Sequence, residues 1–221
     1  MKALSIIVIV AVLAASGLPA SPAIRRVNTD EKVIALTFDD GPHPTITAEI
    51  LDILDKYDAR ATFFVIGENA KNYPDVLRMI SSRGHEIGNH TYTHKSVRKK
   101  NVGEIIDEIE LAEEAILSVC DAKTKVFRPP EGCFTKNVAE AAAKLGYSVI
   151  LWSVDTRDWA HCDAATITEN IKNNIRPGGV ILFHDYVSGE SYTKNALEII
   201  LPYLGSLGYR FVTVSELIGL S

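Results

Sequence analysis

Short unbroken apolar runs alternate along this chain with longer stretches in which apolar positions recur at helical spacing. The runs at 33–38, 61–66, 86–88, 126–127, 148–152, 180–183 and 209–212 read as strands. The stretches at 46–57, 74–82, 102–120, 136–145, 164–174 and 194–204 read as helices. Ile46, Ile50, Ile53, Leu54 and Tyr57 share one face of the first helix; Ile105, Ile106, Ile109, Ala112, Ile116 and Val119 share one face of the third. A strand that is apolar throughout is covered on both sides, and regular strand–helix alternation implies a parallel sheet. About seven such strands suit a distorted (β/α) barrel better than a doubly wound sheet. No Gly-x-Gly-x-x-Gly turn follows the first strand, which also disfavours a dinucleotide fold. The expected class is α/β, with one domain over residues 24–221.

The first residues break this pattern. Lys2 precedes an almost purely apolar run, 3–15, and a small-residue exit that ends at Ser21-Pro22-Ala23. That order describes a secretory signal peptide over 1–23. It implies a secreted or cell-wall-associated protein; left uncleaved, the leader would anchor the chain to a membrane. The remaining composition is that of an ordinary globular protein, 47% apolar and 23% charged. A formal charge of −5 argues against nucleic acid or anionic lipid as the main partner. Three cysteines cannot all pair within one chain; Cys120 reads as a buried helix thiol, and Cys133 and Cys162 as a candidate bridge between two loops. No obligatory protein partner is evident, and no appended binding module is expected after the last helix.

In barrels of this kind the chemistry gathers at the C-terminal ends of the strands. Asp39-Asp40 ends the first strand, where two adjacent anions repel each other and resist burial. His90-Thr91-Tyr92-Thr93-His94 follows the third strand, and Arg128-Pro129-Pro130-Glu131-Gly132 the fourth. Asp155-Thr156-Arg157-Asp158-Trp159 follows the fifth, and His184-Asp185 ends the strand at 180–183. Two histidines four apart can share one metal, and a carboxylate from the first strand would complete a set that leaves a coordination position open. A cation there would also relieve the repulsion, with one aspartate ligating and the other free to act as a base.

These segments resemble the motifs of the polysaccharide deacetylases, the NodB-like carbohydrate esterases. Thr37-Phe38-Asp39-Asp40-Gly41-Pro42 and His90-Thr91-Tyr92-Thr93-His94 resemble the first two motifs, and Arg128 to Gly132 the third. Asp155 to Trp159 resembles the fourth, and Leu182-Phe183-His184-Asp185 the fifth. The resemblance implies Asp39 as general base, and Asp40, His90 and His94 as ligands of a divalent metal, zinc first, with cobalt or another divalent ion as alternatives. It implies that Arg128 orients Asp39, that His184 is the general acid, and that Asp158 keeps His184 cationic. Trp159 and Leu182 would line a slot for the acetyl methyl group. A backbone N–H near Glu131, beside Pro130, would help to hold the oxyanion.

The implied reaction is N-deacetylation of an acetylated amino-sugar glycan. Glu131 stands where the third motif usually has an aromatic residue, which resembles members acting on peptidoglycan more than those acting on chitin or xylan. An O-acetyl esterase, a chitooligosaccharide deacetylase and a silent carbohydrate-binding domain are the alternatives. A full set of acid, base and metal ligands argues against silence. His43 and His161 read as loop residues, His85 as a satisfied structural group and Trp152 as barrel packing.

Overall fold

The computed structural model describes residues 22–220; residues 1–21 of the expected leader lie outside the described residues. At the middle of the sheet is β1 (Val33–Asp39), buried along its whole length. It pairs in parallel with β2 (Ala61–Val65) on one side and β7 (Gly179–His184) on the other. The sheet continues past β2 through β3 (Glu86–Asn89), β4 (Val126–Phe127) and β5 (Ser148–Val149). Past β7 it ends at β6 (Val154–Asp155), while β8 (Arg210–Phe211) pairs with Val33 and Ile34 at the start of β1. The result is a curled parallel sheet, a distorted barrel of the expected class.

The connecting helices are α1 (Ile46–Lys56), α2 (Gly67–Asn72), α3 (Pro74–Ser82), α4 (Val102–Leu117), α5 (Lys136–Leu145), α6 (Ala164–Asn174), α7 (Thr193–Ser206) and α8 (Val214–Ile218). Period two along β1 divides its side chains between two cores. Ile34, Leu36 and Phe38 join the outer cluster under the helices, whereas Val33 and Ala35 join an inner one with Phe64, Val126, Ile150 and Val180. Phe38 stacks on Phe63 at 4.9 Å and on Phe183 at 5.5 Å, its register partners on β2 and β7. Val214 and Leu217 of α8 join the inner cluster beside Val33, at the N-terminal end of the barrel. The inward positions therefore run from apolar at the bottom to Thr37 and Asp39 at the top.

The stretch expected as one strand, 148–152, is divided. β5 and β6 lie on opposite edges of the sheet, and residues 150–153 cross between them. Backbone donors change partner along the crossing: Ile150 donates to Phe127 O, Leu151 to Ile24 O and Ser153 to Val180 O. The carbonyls of Ile150 and Leu151 instead accept from the buried Arg128 side chain, at 3.2 and 3.3 Å. A side chain has taken the place of a strand neighbour, which is why the strand breaks there. The three cysteines are free. Cys133 is buried with Phe127 and Val138, whereas Cys162 packs against the separate outer core, so the candidate bridge is not formed.

Candidate active site

Neighbouring residues of a strand face opposite ways, so Asp39 and Asp40 could not both look inward from regular β structure. Asp39 is the last inward residue of β1, and Asp40 leaves the strand at φ 78. The turn brings Asp40 Oδ1 to 3.4 Å from His90 Nε2 and 3.1 Å from His94 Nε2. Asp39 Oδ2 lies 3.7 Å from His90 Nε2, and its Oδ1 accepts from Arg128 Nη1 at 2.7 Å. Gly41 is needed next: a Cβ there would stand 2.0 Å from Asp185 Oδ2. The Asn69 amide donates to the Asp40 carbonyl at 2.8 Å and braces the turn from α2.

The histidine loop is not a helix turn. Thr91 and His94 adopt φ 67 and 55, a left-handed pair that few side chains adopt without support. The support is Glu108, a carboxylate on the apolar face of α4. It accepts from the backbone N–H of Tyr92 and Thr93 and from the Thr93 hydroxyl. Those bonds hold its pKa below the ordinary value although burial works the other way. His90 Nδ1–H donates to Arg128 O at 2.7 Å, which fixes the ring and leaves Nε2 free to ligate. Burial disfavours charge on His90, but Asp39 and Asp40 outweigh it and raise its pKa; burial and the neighbouring His90 lower that of His94.

Arg128 is fully buried. Its guanidinium also donates to Thr37 Oγ1 at 2.9 Å and lies 4.1 Å from the centre of the Phe64 ring. Burial pushes its pKa down, opposed by Asp39. Across the opening, His184 ends β7 on the same inward side as Leu182. His184 Nδ1–H donates to Asp158 Oδ1 at 2.8 Å, and the His184 backbone N–H and the Thr193 hydroxyl donate to Oδ2. Burial would depress the imidazole, yet Asp158, with Asp39 and Asp40, carries its pKa to about 9.

A cavity of ≈150 Å³ is lined by Asp39, Asp40, His90, His94, Glu131, Gly132, Trp152, Leu182 and His184. Arg128 and Asp158 lie buried behind that lining, and Pro130 is buried in the turn that carries Glu131. Trp159 is 50% exposed, donates to Asp155 Oδ1, and is not among the lining residues. Trp152 packs against the inner cluster as expected, and its half-buried ring also forms part of the cavity wall beside Gly132. Glu108 and Asp185 were not foreseen as site residues. Glu108 was readable as an acid on an apolar helix face. Asp185 follows His184 in the sequence, and in the fold it accepts from Thr47 Oγ1 beneath the aspartate turn. A larger hollow of ≈700 Å³ lies on the outside of α1 and α7, between Glu49, Lys194 and Glu198, and shares no lining residue with the first.

Asp40, His90 and His94 form the one group of potential metal ligands among the described residues, their donor atoms within 4.8 Å of one another. Asp40 Oδ1 is buried beside both imidazoles yet makes no hydrogen bond. An orphaned carboxylate oxygen facing two bare imidazole nitrogens fits a divalent ion of the zinc type, with coordination positions left over.

A barrel that gathers paired carboxylates, an ion-paired histidine and a candidate three-residue metal centre at its C-terminal rim has the parts a hydrolase needs. Residues 26–150 match the polysaccharide deacetylase family, to which the chain belongs. It is 41% identical, over 87% of its own length and 91% of the relative's, to a peptidoglycan-N-acetylglucosamine deacetylase of Bacillus cereus. The solved structure of the Bc1960 peptidoglycan N-acetylglucosamine deacetylase, in complex with a naphthyl-substituted N-hydroxybenzamide, superposes with TM-score 0.84 at 38% identity, covering 87% of this chain and 91% of that one. The structure of BA3943, a pseudoenzyme of carbohydrate esterase family 4 from Bacillus anthracis, also reaches TM-score 0.84 at 30% identity, covering 90% and 69%. A fold shared with a pseudoenzyme does not by itself carry activity; the side chains must.

Proposed function

We propose that this protein is a secreted, zinc-dependent enzyme that hydrolyses N-acetyl groups from the amino sugars of cell-wall peptidoglycan. The observation that carries the reading is the placement of Asp39 and His184 about one cavity with Asp40, His90 and His94. Secretion rests on the leader-like first residues, and the substrate class on the relatives' described activity.

Asp40, His90 and His94 would hold the ion, and when bound it supplies Lewis acidity to the acetyl carbonyl and to water. Asp39, pinned by Arg128, takes the proton from the attacking water as the oxygen bonds to the carbonyl carbon. The backbone N–H of Glu131 donates to the developing oxyanion. His184 Nε2–H then protonates the sugar nitrogen while the C–N bond breaks, releasing acetate and a free amine. Asp158 keeps that imidazole charged at neutral pH, so base and acid begin in opposite protonation states. Leu182 bounds the slot beside the acetyl methyl group.

The test is acetate release from peptidoglycan, N-acetylated chitooligosaccharides and acetylxylan, each with and without chelator. Chelator-sensitive release, fastest from peptidoglycan, is expected. Preference for acetylxylan would make the protein an esterase; no release from any substrate would leave a binding domain.

A further inference from the structure

Just beyond β7 stands a buried acid to which the reaction gives no part. Asp185 is only 1% exposed. Its Oδ2 accepts one hydrogen bond, from Thr47 Oγ1 at 2.6 Å, and its Oδ1 makes none among the described residues. A buried carboxyl with a single donor is costly, and an apolar side chain of the same size would fill the space without that cost. Filling space is therefore a poor reason for it to be there.

What Asp185 holds is the aspartate turn. Its backbone N–H donates to the Asp39 carbonyl at 3.2 Å, which carries the pairing of β1 with β7 one step past Asp39 and His184. A Cβ on Gly41 would lie 2.0 Å from Asp185 Oδ2 and 2.5 Å from both its Cγ and its Oδ1. The Gly41 hydrogen that occupies this direction therefore points into the carboxyl group, a Cα–H···O contact. The Thr47 hydroxyl that donates to Oδ2 itself accepts from the His43 N–H at 2.7 Å. Residues 39, 41 and 43 are thus tied to Asp185, directly or through the first turn of α1.

Asp40 sits between these ties, at φ 78, where a residue other than glycine needs support. From the other side the Asn69 amide holds the Asp40 carbonyl at 2.8 Å, and the Ile66 N–H donates to the Gly41 carbonyl at 2.9 Å. None of these bonds reaches the Asp40 carboxylate, whose Oδ1 faces His90 and His94. Its aim is set by the backbone beneath it. We propose that Asp185 is a positioning residue for the metal centre: its carboxyl clamps the turn from Asp39 to His43 and so aims Asp40 at the ion that His90 and His94 share. The inference rests on the reading that these three residues hold a metal, and it deepens that reading. Asp185 is not among the residues that line the cavity, and it acts through Gly41 and Thr47.

The test is zinc affinity, read by competition with a chelating dye at a temperature where melting curves show each variant folded. Asp185→Ala should bind zinc about 10- to 100-fold more weakly than the wild type, as when a group that orients a ligand is lost. Asp185→Asn keeps the shape and the acceptor for Thr47, and should stay close to the wild type. Thr47→Val cuts the link to His43 with little change of shape. It should weaken zinc binding in the same direction, and it carries the test if Asp185→Ala does not fold. A residue that only fills space would lower the melting temperature and leave the affinity of the folded protein unchanged. That result in both variants would overturn the clamp. So would an Asn variant as weak as the Ala one, since Asp185 would then act through its charge. If the wild type takes up no zinc, the metal reading falls. Faster hydrogen exchange at the His43 amide in Asp185→Ala would then leave the clamp standing, and unchanged exchange would overturn it as well.

Discussion

Replacing Asp158 with Asn removes the charge behind the proposed acid while preserving its shape. The Asn carbonyl can still accept from His184 Nδ1–H, so the ring keeps its orientation. Burial disfavours the charged ring, and the main carboxylate that offsets it is gone; only Asp39 and Asp40 still oppose it, so the imidazole falls from about 9 toward its ordinary pKa of 6.5. A fall of roughly two units or more corresponds to about 3 kcal/mol of lost preference for the cation. Because the charged form is the active one and prevails below its pKa, the alkaline limb of the rate profile should move to lower pH. At pH 8 the protonated fraction would fall about 30-fold. The assay is initial acetate release across the pH range, with wild type and variant equally loaded with metal, so that the ion shifts both alike. The Asn NH2 then stands in place of Oδ2: the Thr193 hydroxyl can turn to accept from it, but the His184 backbone N–H loses its acceptor, costing about 1–3 kcal/mol of stability. Melting curves therefore accompany the kinetics. An alkaline limb that stays where it is in the folded variant would refute His184 as the acid.

Asp39→Asn should end turnover and retain metal, whereas Asp40→Asn should lose metal first; elemental analysis beside rates separates them, and the reverse result would exchange the roles. Glu108→Ala should weaken metal binding about 10- to 100-fold, because the loop of Thr91 and His94 loses its acceptor. Competition with a chelator reads this directly, and wild-type affinity would make Glu108 merely structural. Gly41→Ala should destabilise the fold by about 1–3 kcal/mol, since its methyl would meet Asp185 at 2.0 Å. An unchanged urea midpoint would show that the aspartate turn yields more easily than its contacts imply.

Features written locally were legible in the sequence, and those made by distant partners were not. The apolar run ending in Asp39 marked a central strand because both faces of β1 are covered. His90 and His94 were readable as a pair, but helical spacing was the wrong geometry: left-handed residues and Glu108 bring them together. The break between β5 and β6 depends on Arg128, far away in the chain. α2 escaped notice because Gly67–Asn72 is short and carries almost no apolar period. α8 need not have, since Thr213 and Glu216 form a capping box whose Thr-x-x-Glu spacing stands in the sequence.

Amide hydrolysis at the Asp40–His90–His94 centre can be followed by titrating zinc into chelated protein while measuring acetate released from N-acetylated peptidoglycan. Release should be absent at the start, rise linearly and reach a plateau at about one ion per chain, as a single three-ligand site requires. Full activity of the metal-free protein, or zinc binding without any acetate released, would contradict hydrolysis at this centre.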